Sequence, residues 1–177
     1  MVDLNLCYTL LQDVTPLPVD CGRLCDGACC KDTGEDNGML LFPGEREYLS
    51  GHFPDAAFHP TEEGGWLLVC DGVCDRRYRP LSCRIFPLFP ILEESGRVKS
   101  VIDPRALRVC PLARVAEEVC FDKAFVRAVR RVGRLLTADD ACRRFIQEQT
   151  VQLKEWGRLL PNGKLSSPSP RRKAEQK

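Results

Sequence analysis

The first 110 residues contain short apolar runs separated by turn residues, a pattern that is typical of short strands. WLLVC at 66–70, PLFPIL at 87–92 and RVKSVI at 97–102 predict three strands, the last two joined by a turn at 93–96. Two prolines in the second run restrict it to an edge strand or an extended segment. LFPGEREYLS at 41–50 predicts a short helix, because proline is accepted in a first turn and the glutamates lie near the positive end.

From residue 111 onward, apolar residues recur at three- and four-residue intervals, which predicts helices. One helix begins at Pro111, a second is capped by Asp122, and a third follows Thr137 as its N-cap. The apolar face of the second helix contains Phe125, Ala128, Val129, Val132, Leu135 and Leu136. The apolar face of the third contains Ala141, Phe145, Ile146, Leu153, Trp156 and Leu160.

Together these patterns predict an α+β fold, in which a small irregular cysteine-rich region with short strands precedes two or three C-terminal helices. Residues 1–110 form the cysteine-rich metal-binding region, and residues 111–160 form a helical extension packed on it. Residues 161–177 are rich in Pro, Ser and Lys without apolar periodicity, so we expect a disordered basic tail.

Charge divides at the same place as the apolar pattern. Residues 1–110 hold 11 Lys and Arg against 17 Asp and Glu, a net charge of −6, whereas residues 111–177 hold 15 against 8, a net charge of +7. The acidic part is therefore also the cysteine-rich part.

Eight of the eleven cysteines lie between positions 21 and 110, and four of them fall within ten residues. The first twenty residues carry Asp3 and Asp13, no Lys or Arg, and no apolar core of signal-peptide length, so we expect a cytoplasmic protein. Because thiols stay reduced in the cytoplasm, closely spaced cysteines are expected to be metal ligands and not disulfide partners. The candidate ligands are Cys21, Cys25, Cys29, Cys30, Cys70, Cys74, Cys83 and Cys110.

The short cysteine intervals are all of the Cys-x3-Cys type, and no Cys-x2-Cys occurs. This disfavours a thioredoxin-like redox pair and the commonest zinc ribbons. Thiols four residues apart can share one helical face, but Gly22 and Gly27 make a loop wrapped around a metal at least as good an interpretation. Soft thiolates select zinc, copper(I) or iron-sulfur clusters.

The remaining cysteines, Cys7, Cys120 and Cys142, fit small buried hydrophobic positions. His52 and His59 lie in a loop without other ligands, and neither belongs to a nucleophilic triad. Four arginines close to Cys74 and Cys83 in the sequence are either counter-charges for thiolates or ordinary surface charges. They are Arg76, Arg77, Arg79 and Arg84.

The segment RRYRPLSCRIFPLFP at 76–90 resembles the signature of the YkgJ-like cysteine-cluster family, described as a zinc- or iron-chelating domain. That family pairs a cysteine-rich start with a later Arg-Pro-x2-Cys-Arg-x-aromatic-Pro segment. Between them it has a glutamate-containing helix, matched by Glu45, and further cysteines, matched by Cys70 and Cys74. The resemblance covers about residues 21–111, with the first two cysteine intervals one residue longer than in the family. It implies zinc or iron chelation by the cysteines.

We therefore expect a metal-binding protein that holds a 4Fe–4S cluster or zinc and has a redox or accessory role. The cysteine surplus, the near absence of histidine and the family's iron-chelating description favour the cluster. The alternative is a structural zinc module whose basic helices contact a protein or nucleic acid. Its cations are Lys123, Arg127, Arg130, Arg131 and Arg134. Cations opposite an apolar face usually form a solvated helix surface, so we do not expect nucleic-acid binding. No stretch approaches the roughly 18 apolar residues needed to span a bilayer, so we expect no membrane association. A protein partner and a catalytic activity are left open.

Overall fold

Short helices and two small antiparallel sheets make up the first part of the chain, and two long helices follow. The computed structural model describes residues 2–31, 38–70, 72 and 74–168. The α-helices are α1 (Leu4–Leu10), α2 (Cys21–Cys25), α3 (Glu45–Tyr48), α4 (Leu81–Ile85), α5 (Pro111–Arg114), α6 (Lys123–Leu136) and α7 (Asp140–Arg158). The strands are β1 (Met39–Leu40), β2 (Phe58–Pro60), β3 (Trp66–Leu68), β4 (Leu88–Leu92) and β5 (Val98–Ile102). Short 3₁₀ segments occupy Ala28–Cys30, Asp55–Ala57, Arg76–Tyr78 and Pro104–Arg108.

The predicted α+β class with C-terminal helices is confirmed. Strands β4 and β5 form the expected hairpin, with Leu88 opposite Ile102 and Leu92 opposite Val98. Strand β3 corresponds to the predicted strand at 66–70 and lies between β1 and β2 in a second antiparallel sheet.

Both long helices begin at aspartate caps. The Asp122 carboxylate accepts hydrogen bonds from the backbone N–H groups of Ala124 and Phe125, as the sequence predicted for α6. The expected cap of α7 was wrong. Thr137 is the C-cap of α6, and the side chain of Asp139 accepts from the first free N–H groups of α7.

The core lies between the β4–β5 hairpin and the two long helices. Gly133 of α6 allows close contact with the hairpin, because a Cβ atom there would lie 2.6 Å from the Cβ of Pro90. Helix α7 supplies the Thr150 hydroxyl, which accepts a hydrogen bond from the Leu92 N–H at 3.1 Å.

Residues 161–168, which we expected to be disordered, contact this core. Leu165 packs against it beside Gly157, and the Ser166 carbonyl accepts a hydrogen bond from the Ile102 N–H at 2.8 Å. The remainder of the predicted tail, residues 169–177, lies outside the described residues. Within the described residues, no helix combines the length and apolar character needed to cross a bilayer.

Candidate metal centre

Six of the eight candidate cysteines surround one cavity of about 480 Å³. They come from three regions that are far apart in the sequence: α2 with the 3₁₀ turn after it, α4, and the residue before α5. The six are Cys21, Cys25, Cys29, Cys30, Cys83 and Cys110.

A reversal of the chain directs the first four of these thiols to the same cavity. Asp20 caps α2 by accepting a hydrogen bond from the Gly22 N–H at 3.0 Å. Asp26 and Gly27 then adopt left-handed backbone conformations, with φ of 51° and 63°, which end α2 and start the 3₁₀ turn. The segment is thus a single helical turn and a loop, as the glycines indicated.

The loop between β3 and α4 carries Cys70 and Cys74, which do not line the cavity, and Gly72, which does. Gly72, halfway between them, has φ of +79°, and a Cβ atom there would collide with the carbonyl oxygen of Cys30. Glycine is therefore required both by the backbone conformation and by the close approach of the two segments.

Helix α4 carries Cys83, and a buried carboxylate holds its N-terminus. Glu45 has no exposed surface, and its Oε1 atom accepts a hydrogen bond from the Leu81 N–H at 2.7 Å. The same carboxylate accepts from the Tyr8 hydroxyl at 2.6 Å and the Phe42 N–H at 2.8 Å. Burial raises the pKa of Glu45, while these hydrogen bonds and the Arg84 charge act in the opposite direction.

Arg84 organises the loop before α4. Its guanidinium lies 4.7 Å from the centre of the Tyr8 ring and donates hydrogen bonds to the carbonyl oxygens of Arg76, Arg77 and Arg79 at 2.7 to 2.8 Å. The hydrogen-bond acceptors of Arg84 are thus backbone carbonyl oxygens. Arg84 is thus a positioning residue for the loop.

That loop directs Arg79 at the thiols. Burial lowers the pKa of Arg79, but a hydrogen bond with Cys74 and the nearby Cys30 and Cys83 outweigh burial and raise it. Within the described part of the chain, Nε of Arg79 is a buried nitrogen with no hydrogen-bond partner. Such an unsatisfied donor beside several thiols fits an acceptor such as a bound sulfide or thiolate.

The other two arginines of the group form ion pairs with aspartates. Arg76 lies 3.6 Å from Asp20 and so ties the loop to the cap of α2. Arg77 pairs with Asp75 at 2.7 Å on the surface.

The thiols influence each other's ionisation. Burial raises the pKa of Cys21, and the neighbouring Cys25 and Cys110 raise it further. Burial also raises the pKa of Cys83, with added contributions from Cys30, Cys74 and Cys70.

Cys30 differs from these thiols. A hydrogen bond with Cys29 lowers the pKa of Cys30 to about 6, and the Arg79 charge acts in the same direction. The same hydrogen bond raises the pKa of Cys29. The hydrogen bond therefore favours the thiolate, the form that binds metal, at Cys30 over Cys29.

As folded, the thiols are close together without being in ligand geometry. The Sγ atoms of Cys29 and Cys30 are 3.9 Å apart. No three His, Cys, Asp or Glu side chains among the described residues already form a group that could hold a metal ion. Metal binding would thus require side-chain rotation around the cavity.

The three cysteines and two histidines that the sequence did not assign as metal ligands do not line the cavity. Cys7 and Cys142 are fully buried in the core, and Cys120 is partly buried. The His52 ring stacks on Tyr78 with ring centres 3.4 Å apart, and His59 belongs to β2.

Sequence reasoning missed the roles of Gly72 and Tyr8. Their partners, the Cys30 carbonyl and the Glu45 carboxylate, are 42 and 37 residues away, respectively, and no local motif marks either contact.

Comparisons with family models, with curated proteins and with solved structures find no match.

Proposed function

We propose that this protein binds a metal centre, an iron-sulfur cluster or zinc, through its clustered cysteines and has a redox or accessory role in the cytoplasm. The observation that carries the proposal is the meeting of six cysteines from three distant regions of the chain around one cavity. A fold that needed cysteine only as a small hydrophobe would bury it in the core, as it does Cys7 and Cys142.

The donor set favours an iron-sulfur cluster over zinc. The cavity offers thiols with no histidine, and there are more thiols than the four that a single zinc ion takes. The sulfides of a cluster accept hydrogen bonds, and the unpartnered Nε of Arg79 is a donor placed among the thiols. When bound, a cluster would supply one-electron redox chemistry, and zinc would supply structural stability.

Electrostatics agrees with this proposal. Four thiolates around a dicationic centre leave a net charge of about −2, which is costly in a partly buried site unless cations offset it. Arg79 lines the same cavity as Cys30 and Cys83, and Arg84 holds the loop that presents it. The resemblance to the YkgJ-like family, whose described role is zinc or iron chelation, supports the same assignment.

The test is anaerobic purification of the full chain followed by metal and sulfide analysis. We expect brown protein with iron and sulfide in equal amounts and a broad absorbance at about 400 nm that is lost on reduction. Cys83→Ser should lower the metal content. Cys142→Ser, a change at a buried cysteine outside the cavity, should leave the metal content unchanged.

Folded protein that carries no metal, even after anaerobic reconstitution with iron, sulfide or zinc, would refute the proposal. Colourless folded protein with stoichiometric zinc and no sulfide would keep the metal site but reject the cluster.

The zinc result would favour the alternative, a structural zinc module with a basic interaction surface. Arg127, Arg130, Arg131 and Arg134 are exposed on α6, and none forms an ion pair with another described residue. Four unpaired cations on one helix suit an acidic protein partner. The basic surface of α6 does not distinguish zinc from an iron-sulfur cluster. The metal analysis therefore decides between the iron-sulfur protein and the structural zinc module.

A further inference from the structure

We propose that a second cavity, between the β4–β5 hairpin, α7 and the segment after α7, binds a small anion that carries two or more phosphate groups. The cavity measures about 350 Å³, and its basic side chains are Lys99, Lys154, Arg158 and Lys164. Among the described residues, this phosphate cavity and the cysteine cavity share no lining residue. The inference is therefore independent of the metal centre.

The register of the hairpin directs Lys99 toward the phosphate cavity. Lys99 lies opposite Ile91, and alternate residues of a strand project to opposite faces of a sheet. Lys99, Ile91 and Val101 therefore share one face, and all three line the cavity. Pro90 lies on the other face, beside Gly133 of α6. Ile91 and Val101 are buried, so the floor of the cavity is apolar.

Helix α7 and the segment after it supply the other three cations. Lys154 and Arg158 are four residues apart and lie on one face of α7, where like charges repel each other. The negative end of α7 stabilises Arg158 in the last turn but not Lys154, one turn earlier. Lys164 belongs to the segment that Leu165 and the Ser166 carbonyl attach to the core. Three separate elements thus place positive charge at one cavity.

The cavity contains one carboxylate, and that group is already paired. Glu93 lies 2.5 Å from Nζ of Lys99 and 2.9 Å from Nε of Arg97, and these contacts hold the pKa of Glu93 below its usual value. The three cations of α7 and the following segment form no ion pair within the part of the chain that the structure describes. Four cations against one carboxylate leave a net charge of +3 around the cavity.

Size and charge together favour phosphate as the ligand group. The volume of about 350 Å³ falls in the range of small-molecule sites. A phosphate group carries up to about two negative charges at neutral pH, so a diphosphate matches the cavity with one compact group. Arginine binds phosphate oxygens through two parallel hydrogen bonds, and lysine binds them as a point charge. The apolar floor strengthens the field of these cations, because low-dielectric walls focus it.

The first test is calorimetric titration of the full chain at low ionic strength without magnesium. Inorganic pyrophosphate is the probe for a free diphosphate, and ADP is the probe for a diphosphate ester. We expect saturable binding of one diphosphate per chain, weakened by added salt, and the tighter probe identifies the source of the ligand. Citrate, which carries only carboxylates, should bind about tenfold more weakly. The metal content of the protein should be the same before and after each titration.

The second test places the binding at the cavity. Arg158→Gln and Lys164→Gln each remove one exposed cation, from different segments, and each should weaken pyrophosphate binding about tenfold. The matched control is Arg130→Gln, which removes an exposed arginine of α6 that does not line the cavity. The control should leave the affinity unchanged, and circular dichroism should show that all three variants are folded.

Three outcomes would overturn the inference. The first is the absence of saturable binding of both pyrophosphate and ADP. The second is an equal loss of affinity in Arg130→Gln and Arg158→Gln, because binding would then reflect the net charge of the protein and not the cavity. The third is citrate binding as tight as that of pyrophosphate, which would reject phosphate as the ligand group. None of these outcomes changes the metal analysis, so the proposed metal-binding function is tested separately.

Discussion

Glu45 shows how one residue can connect three separate parts of the fold. Its buried carboxylate accepts hydrogen bonds from α1, from the segment before α3 and from the start of α4. Glu45→Gln keeps the shape of the side chain but replaces one acceptor oxygen with an NH₂ donor that faces another donor. We expect a loss of about 2–4 kcal/mol in the free energy of unfolding, since a buried donor left facing another donor is costly. Denaturant unfolding measures this loss.

The matched control is Glu47→Gln, because Glu47 is an exposed residue of the same short helix. That change should alter the free energy of unfolding by less than about 0.5 kcal/mol. Equal effects of the two substitutions would mean that the hydrogen bonds of Glu45 contribute nothing to stability.

Gly72 permits the conformation of the loop between β3 and α4, which carries two of the candidate cysteines. In Gly72→Ala, the added Cβ would collide with the Cys30 carbonyl and would also occupy a positive-φ position. We expect a loss of about 2–4 kcal/mol in the free energy of unfolding together with reduced metal content, because the loop carries Cys70 and Cys74. Denaturant unfolding and metal analysis of the same preparation test this.

Gly64→Ala separates backbone strain from collision. Gly64 has the same φ of +79° as Gly72, but a Cβ atom there would have no neighbour within 4 Å. Its substitution should cost only about 1 kcal/mol and leave the metal content unchanged. A Gly72→Ala protein that resembles Gly64→Ala in both measurements would show that the contact with Cys30 is not needed.

The whole molecule includes part of the segment that the sequence assigned to a tail. A chain that ends at residue 160 loses the Leu165 contact with the core and the hydrogen bond from Ile102 to the Ser166 carbonyl. Its free energy of unfolding should fall by about 1–3 kcal/mol relative to a chain that ends at residue 168. Its metal content should not change, because the segment lies against β5 and α7 and does not line the cysteine cavity.

Leu165→Ala in the full chain is the control for this prediction, since it removes the apolar contact and keeps the backbone hydrogen bond. It should give roughly half of the truncation effect. Equal stability of the chains ending at 160 and 168 would show that the segment is attached too weakly to matter.

The sequence alone determined the features that depend on neighbouring residues. The β4–β5 hairpin follows from two apolar runs around a turn, and α6 follows from Asp122 and the helical spacing after it, because strand pairing across a tight turn and helix capping are local interactions. The separation of Cys7 and Cys142 from the other cysteines also agrees with the structure, in which both are buried in the core.

Only the tertiary structure decided which groups meet across long sequence separations. Cys110 reaches the cavity of Cys21 through the packing of α5, and Arg79 faces the thiols because Arg84 binds three carbonyl oxygens of its loop. The docking of Leu165 depends on the space left by Gly157, which no local pattern reveals. Spacing along the chain therefore predicted which cysteines are candidate ligands, whereas long-range packing and hydrogen bonding decided which of them share the cavity, because those contacts form only when distant segments are brought together.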